Sequence, residues 1–174
     1  RSGSVIGNYN SGRPNLTVEF NASGQPRFYM QDANGKPTID LRFTSVPSVY
    51  TGKWVHVAFA IDDAAGKIHC YVDGVLKESK DAVIPTEISA SPMVLGGDLR
   101  TNNEQWFKGE LKSVAAYTDM RTAEEIAADI YAPGEEDLMA YWVTAGNLGA
   151  NAIYDQSGNG YHAMLKTPTP VTNE

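Results

Sequence analysis

"WVHVAFAIDDAAGKIHCYVDG", residues 54–74, is the most regularly patterned stretch of the chain, and it also holds two histidines, the only cysteine and three aspartates, Asp62, Asp63 and Asp73, that read as turn residues. In its first half Val55, Val57, Phe59 and Ile61 fall on one side of an extended strand, and Trp54, His56, Ala58 and Ala60 fall on the other. Both sides can be covered. In its second half Ile68, Cys70 and Val72 alternate against Lys67, His69, Tyr71 and Asp73, the pattern of a half-buried strand. "DDAAG" joins the two as a hairpin, and Asp73-Gly74 makes a second tight turn into "VLKES". The apolar phase therefore predicts a core, with Cys70 as a small inert hydrophobe within it. His56 and His69 lie on different strands without a third ligand at metal spacing, so they read as ordinary satisfied histidines rather than a zinc site.

Working outward, short runs rich in β-branched and aromatic residues recur between clusters of Gly, Pro, Asn and Asp. Strands are predicted over 4–8, 15–20, 26–31, 38–43, 54–62, 67–73, 75–78, 92–97, 107–117 and 138–143. The turns "NASGQP" and "DANGKP" place Asx residues and glycines where a chain reverses. One segment leaves this period: in "RTAEEIAADIYAPG" Thr122 and Glu125 have capping-box spacing and Ile126 and Ile130 lie one turn apart, which predicts a short helix near 122–131. A lone helix in such a chain is expected to plug the open end of a sandwich. The fold class is all-β, a two-sheet antiparallel β-sandwich.

The chain has 174 residues, enough for one domain, with a formal net charge of -7 that opposes phosphate binding. No nucleic-acid partner is expected. No apolar run approaches the roughly 20 residues of a membrane span, and "RSGSVIGNYN" lacks the apolar centre of a signal peptide, so any secretion signal is expected upstream. The sequons at Asn15 and Asn21 read as chance occurrences.

"GKWVHVAFAIDDAAGKIHCYVDGVL" resembles the central hairpin of laminin G-like, concanavalin A-type jelly rolls. "MVLGGDLRTNNEQWFKGELKSVAAYTDMRTAEEI", residues 93–126, is similar to the part of that family that follows the hairpin. "LMAYWVTAGNLGANAIYDQSGNGYHAML", residues 138–165, resembles a Tyr-Trp strand and Asp-x-Ser-Gly-Asn-Gly turn that usually open such domains; here they come last. The resemblance implies a laminin G-like sandwich over 1–134 lacking its first strands, and a C-terminal extension over 135–174 packing on or completing the same domain. It also implies a bacterial setting, extracellular, cell-surface or periplasmic, of the kind found in multi-domain surface proteins of gut Bacteroidetes.

That fold hosts lectins, adhesion domains and glucanases, so function must come from sites. A retaining glycosidase needs two carboxyl groups about 5 Å apart, most simply from acidic residues alternating on one strand, and no such alternation occurs. No catalytic residues are assigned, and the chain reads as a non-enzyme. Sugars are held by aromatic platforms and planar amides on loops. Two loops have that content: "NYNSGRPN", with Asn8, Tyr9, Asn10 and Arg13, and "GGDLRTNNEQW", with Asp98, Arg100, Asn102, Asn103 and Trp106. The same residue types are the vocabulary of turns, and both readings stand at this point. In "YDQSGNGYH", Asp155, Ser157 and Asn159 could wrap a Ca2+ ion, as the resemblance allows, or form an Asx turn built on Asp155. The expected role is a non-catalytic carbohydrate-binding or adhesive module of a larger protein, whose partners are a polysaccharide or glycan and neighbouring domains. The alternatives are a structural or protein-interaction module, or an accessory domain of a glycoside hydrolase.

Overall fold

A computed structural model describes residues 3–9, 15–32, 34–85, 92–98, 106–144 and 152–164. The chain divides into two compact units, one formed by Arg1–Gly109 with Met120–Ala132 and one by Glu110–Asp119 with Pro133–Glu174.

In the first unit a five-stranded antiparallel sheet is built from β1 (Gly3–Gly7), β2 (Asn15–Phe20), β3 (Pro26–Gln31), β4 (Pro37–Arg42) and β8 (Val94–Leu95), in the order β4-β3-β2-β1-β8. A three-stranded sheet holds β5 (Val57–Asp62), β6 (Lys67–Val72) and β7 (Val75–Asp81) in sequence order. The turns explain the succession. Asn21 Oδ1 accepts the N–H groups of Ser23 and Gln25, and Asp32 Oδ1 accepts those of Asn34 and Lys36. Gly24 and Gly35 follow three residues after each Asx at φ of 74° and 75°, a conformation that a side chain disfavours. Between β6 and β7, Asp73 at φ 50° and Gly74 at φ 75° form the doubly left-handed turn that matches strand twist.

Phe28, Met30, Ile39, Phe43, Val46, Ile68 and Cys70 form one buried cluster fed by both sheets, with Val57, Phe59, Ile61 and Val72 packed against it. The ring of Phe59 sits 5.6 Å from that of Phe28 and 5.4 Å from that of Phe43, so an aromatic triad spans the layers. The alternation of the 54–74 stretch thus serves a sandwich core. Burial pushes the Cys70 thiol up to about 12, with the nearby Glu78 charge adding to the effect, which leaves it a hydrophobe at neutral pH.

The helix α1 (Ala123–Asp129) has the expected capping box: Thr122 Oγ1 accepts the Glu125 N–H and Glu125 Oε2 accepts the Thr122 N–H. Its position differs from the expectation of an end plug. Ile126 is buried with Ala58, Ala60 and Tyr71, so the helix covers the outer face of the three-stranded sheet. The small alanines of β5 leave room for it, and Gly74 permits close approach, since a Cβ there would lie 3.0 Å from Ala127 Cα.

Three strands are shorter than their sequence-based bounds by three residues or more, β7 runs three residues further than expected, and β1, β4 and β6 differ by one residue at their ends. β5 begins at Val57 rather than Trp54, because Asp73 Oδ1 takes the His56 N–H at 2.9 Å and so caps the strand with a side chain. Only Val94–Leu95 of 92–97 is a strand, since the chain turns at Gly96, φ 75°. The strand expected over 107–117 is confined to β9 (Ser113–Tyr117), after a bend at Gly109.

In the second unit β9 pairs antiparallel with β10 (Leu138–Val143), and β11 (Ala152–Ile153) pairs with β12 (Ala163–Met164). This first ladder hydrogen-bonds residues from both sides of the 134/135 boundary. Trp142 Nε1 donates to the Tyr161 carbonyl at 2.6 Å, which ties β10 to the turn after β11. None of the described helices is long and apolar enough to cross a membrane.

Candidate functional site

Alternation within β2, β3 and β4 sends Leu16, Val18, Phe28, Met30, Ile39 and Leu41 to the core, and so sends a second set of side chains to the outer face of the five-stranded sheet. Register aligns that set in rows. Ser4, Glu19, Arg27 and Arg42 are successive cross-strand neighbours, as are Gly7, Thr17, Tyr29 and Asp40. Asn15 faces Gln31, and its Nδ2 donates to Gln31 Oε1 at 2.6 Å. Gln31 Nε2 in turn donates to the Tyr29 hydroxyl at 2.8 Å.

Arg27 organises this face. Its Nε and Nη2 donate to Asp40 Oδ1 and Oδ2 at 2.6 and 2.8 Å, a two-point fork, and its Nη1 donates to Glu19 Oε1 at 2.7 Å. The guanidinium also lies 4.6 Å from the centre of the Tyr29 ring. The hydrogen bonds from Arg27 hold the Asp40 carboxyl below the ordinary carboxylate range, and burial raises the Tyr29 hydroxyl. A hollow of about 180 Å3 opens here, lined by Tyr9, Thr17, Glu19, Arg27 and Tyr29. A second, of about 290 Å3, is lined by Glu19, Asn21, Ala22, Pro26, Arg27 and Arg42. Glu19 and Arg27 line both, so the two hollows adjoin at this ion pair, and together they are called the groove. Thr17 is 2% exposed, and its Oγ1 has no hydrogen-bond partner among the described residues. Gly7 stands against it: a Cβ at that position would come within 2.9 Å of Thr17 Oγ1.

The residues singled out from the loops divide between the groove and its surroundings. Tyr9 is in the groove, its ring 6.0 Å from that of Tyr29. Asn8 is only 1% exposed; its Oδ1 accepts the Leu16 N–H at 2.8 Å, fastening β1 to β2. Asp98 accepts the Ser4 hydroxyl at 3.0 Å, beside the Ser4–Glu19 pair. Trp106 bridges Ser4 and is 44% exposed, so half of its ring is available to solvent. Asn10, Arg13, Arg100, Asn102 and Asn103 lie outside the described residues. The sequence reading missed Thr17, Glu19, Arg27, Tyr29, Asp40 and Arg42. A signal was present: in "NLTVEF", "PRFYMQ" and "PTIDLR" the phase opposite the core carries paired charges and an aromatic on three successive strands.

The 155–159 turn has a donor set that does not suit calcium. Asp155 Oδ1 accepts the N–H groups of Tyr141 and Ser157 at 2.8 and 2.9 Å; Oδ2 accepts the Ser157 hydroxyl and the Tyr161 N–H at 2.8 and 3.0 Å. Burial alone would raise this carboxyl, but these donors outweigh it and hold it down at about 2. Asn159 Nδ2 donates to the carbonyls of Leu138 and Met139, which are thereby engaged as acceptors. A cation needs several unengaged oxygens, whereas here N–H and O–H donors already converge on them. The Asx-turn alternative describes this geometry.

Among the described residues no three His, Cys, Asp or Glu side chains group as metal ligands. His69 Nδ1 is 2.7 Å from Ser79 Oγ, and its Nε2 lies 3.7 Å from Asp62. His56 belongs to the opposite end of its strand, and burial lowers its pKa despite the charges of Asp129 and Asp73.

Comparison with known proteins fits this architecture. In structure the chain is similar to a "putative carbohydrate binding protein" from Bacteroides ovatus, at a TM-score of 0.70 and 18% identity over 98% of this chain and 51% of that one. It is also similar to a heptameric SAP-like pentraxin from Limulus polyphemus, at 0.54 and 15% identity over 74% of this chain and 63% of that one. The chain thus spans about half the length of the first of these. No curated protein matches it. Residues 1–127, which include both sheets and their shared core, match the model of one family, and the chain belongs to it: the concanavalin A-like lectin/glucanases superfamily.

Proposed function

We propose that this chain is a non-catalytic carbohydrate-binding module of a larger secreted or cell-surface bacterial protein. The observation that carries the reading is the groove on the five-stranded sheet, where an aromatic side wall and fixed hydrogen-bonding side chains come together. Sugar recognition needs that combination, because C–H faces stack on rings while each hydroxyl needs a paired donor or acceptor. Tyr9 in the groove, and Asp98 and Trp106 beside Ser4, are proposed to take part in binding. The similar protein from Bacteroides ovatus, described as carbohydrate binding, supports the same reading.

Binding is favoured over glycoside hydrolysis by the engagement of Asp40 in the two-point fork with Arg27. A general acid needs a raised pKa, and Asp40 is shifted the opposite way by Arg27. Such modules are individually weak and gain avidity from attachment to other domains.

A glycan array probed with the intact chain tests this. A positive set of glycans is expected, with Tyr9→Ala weakening binding about tenfold, or about 1.4 kcal/mol, at unchanged melting temperature. Silence across the array would favour a protein-interaction module. Release of reducing sugar by the isolated chain would overturn the non-enzymatic reading.

A further inference from the structure

Among the described residues of the first unit, β4, β5 and β7 are the edge strands longer than two residues, and they are not finished alike. β4 carries Pro37, Asp40 and Arg42; β7 carries Lys77, Glu78, Lys80 and Asp81, with a register shift opposite Cys70 and Tyr71. Proline, charge and irregular register keep a free edge from pairing with another chain. β5 has none of them. From Val57 to Ile61 it reads Val-Ala-Phe-Ala-Ile, in unbroken register with β6. Both of its faces are engaged, Val57, Phe59 and Ile61 against the core and Ala58 and Ala60 beneath α1. An apolar run covered on both faces is the composition of an interior strand, yet β5 ends its sheet.

Register tells where the backbone of that edge points. The His56 carbonyl accepts the Asp73 N–H at 2.9 Å, in the pairing series that continues as Val57 with Val72. Hydrogen-bonded pairs with β6 therefore fall at Ala58–Tyr71, Ala60–His69 and Asp62–Lys67. Alternation turns the N–H and C=O groups of Val57, Phe59 and Ile61 away from β6, and no strand receives them among the described residues. The side chains of the same three residues are only partly buried, so a neighbouring strand would remove further apolar surface from water.

We propose that the β5 edge is a docking site for an extended peptide strand supplied from outside these 174 residues, uncharged and apolar at alternate positions, which pairs with the backbone of Val57, Phe59 and Ile61. At about 3.4 Å per residue the strand needs about five residues to span them. Side chains on its inner face continue the row of Val57, Phe59 and Ile61 beside the core, where a charge would lose its water without gaining a partner. Residues 165–174, "LKTPTPVTNE", are unsuited to the role, because Pro168 and Pro170 have no N–H to give. A second copy is opposed by the net charge of -7 that each chain carries. The edge belongs to the sheet without the groove, so this site is additional to glycan binding and does not depend on it.

Amide hydrogen exchange, followed residue by residue on the intact chain, is the test. In dilute solution the Phe59 and Ile61 amides are expected to exchange at least about a hundredfold faster than that of Ala60, which is bonded to β6. Equal protection would mean that this chain already covers the edge, and overturns the proposal. The probe is a peptide of alternating valine and threonine between terminal lysines, used at about 0.3 M salt to screen the chain's charge. It should slow exchange at Phe59 and Ile61 about tenfold or more, whereas the same peptide N-methylated throughout should not. No slowing at about millimolar peptide, or equal slowing by both peptides, overturns the proposal. Val57→Pro removes one outward N–H and no bond to β6, and should weaken the peptide about tenfold. Unchanged affinity in a folded Val57→Pro chain places the peptide elsewhere and overturns the proposal; should that variant not fold, the comparison of the two peptides on the unaltered chain decides. Protection that instead grows with chain concentration, alongside a dimer in sedimentation, assigns the edge to a second copy and overturns the proposed partner.

Discussion

The outer faces of the two sheets in the first unit are treated in opposite ways. On the three-stranded sheet Ala58, Ala60 and Tyr71 meet Ile126, and a helix closes the face. On the five-stranded sheet the corresponding positions are Thr17, Glu19, Arg27, Tyr29 and Asp40, of which Glu19, Arg27 and Asp40 pair with one another laterally, and a groove is left. Small apolar side chains gain by being covered, through removal of area from water at about 25 cal/mol per Å2. A face of paired charges gains little from a cover, because desolvating ions costs more than hydrophobic contact returns. Under the proposed function, structure lies on one side of the sandwich and recognition on the other.

Ile126→Ala gives the largest expected effect, since it empties the contact that holds the helix down. It should cost about 2–4 kcal/mol in denaturant unfolding while leaving glycan affinity unchanged in the folded population. A loss of binding equal to that of Tyr9→Ala would break the division between the two faces.

Arg27→Met should be next, at about 2 kcal/mol, because it strands the nearly buried Glu19 without its partner. Here stability and binding should fall together. Its pH dependence sharpens the point. Asp40 is depressed by Arg27 in the folded protein, so its share of stability is present above the ordinary carboxylate range and lost as pH falls through the depressed value. Because Asp40 is more than a third exposed, that share should stay well under about 1 kcal/mol after solvent screening, visible only as a slight convergence of wild type and variant in acid.

The third variant concerns Asp155, the carboxylate that holds the 155–159 turn of the second unit together. Asp155→Asn should cost about 1–2 kcal/mol at neutral pH by removing charge from a four-donor site. The sign follows from a folded value of about 2 against the ordinary value of 3.8: the contribution is full above the latter and disappears as pH drops through the former. Melting curves from pH 7 to pH 2 should therefore converge. Added calcium should raise neither melting temperature; a chelator-reversible rise in wild type alone would restore the ion-binding reading of the turn.

The core was legible before any coordinates. Alternation around Phe59 and Cys70 chose the buried phase, and Thr122 with Glu125 placed the helix start, because both signals depend on neighbours within a few residues. The Asx-Gly turns were legible for the same reason. Where β5 begins was not, since Asp73 takes the His56 N–H from 17 residues away.

The site was half legible. Tyr9 stood out as an aromatic in a polar loop, but nothing near Glu19 in the chain announces that Arg27 will face it, or that Asp40 will grip the same guanidinium from the next strand. A strand's own period says which residues share a face; only pairing register says which of them touch. Sequence alone determined that this protein would hide one phase of its strands in a sandwich. Tertiary structure decided that the opposite phase of one sheet would be roofed by a helix while the other stayed an open, charge-balanced groove, because coverage and cross-strand contact depend on residues brought together from distant parts of the chain.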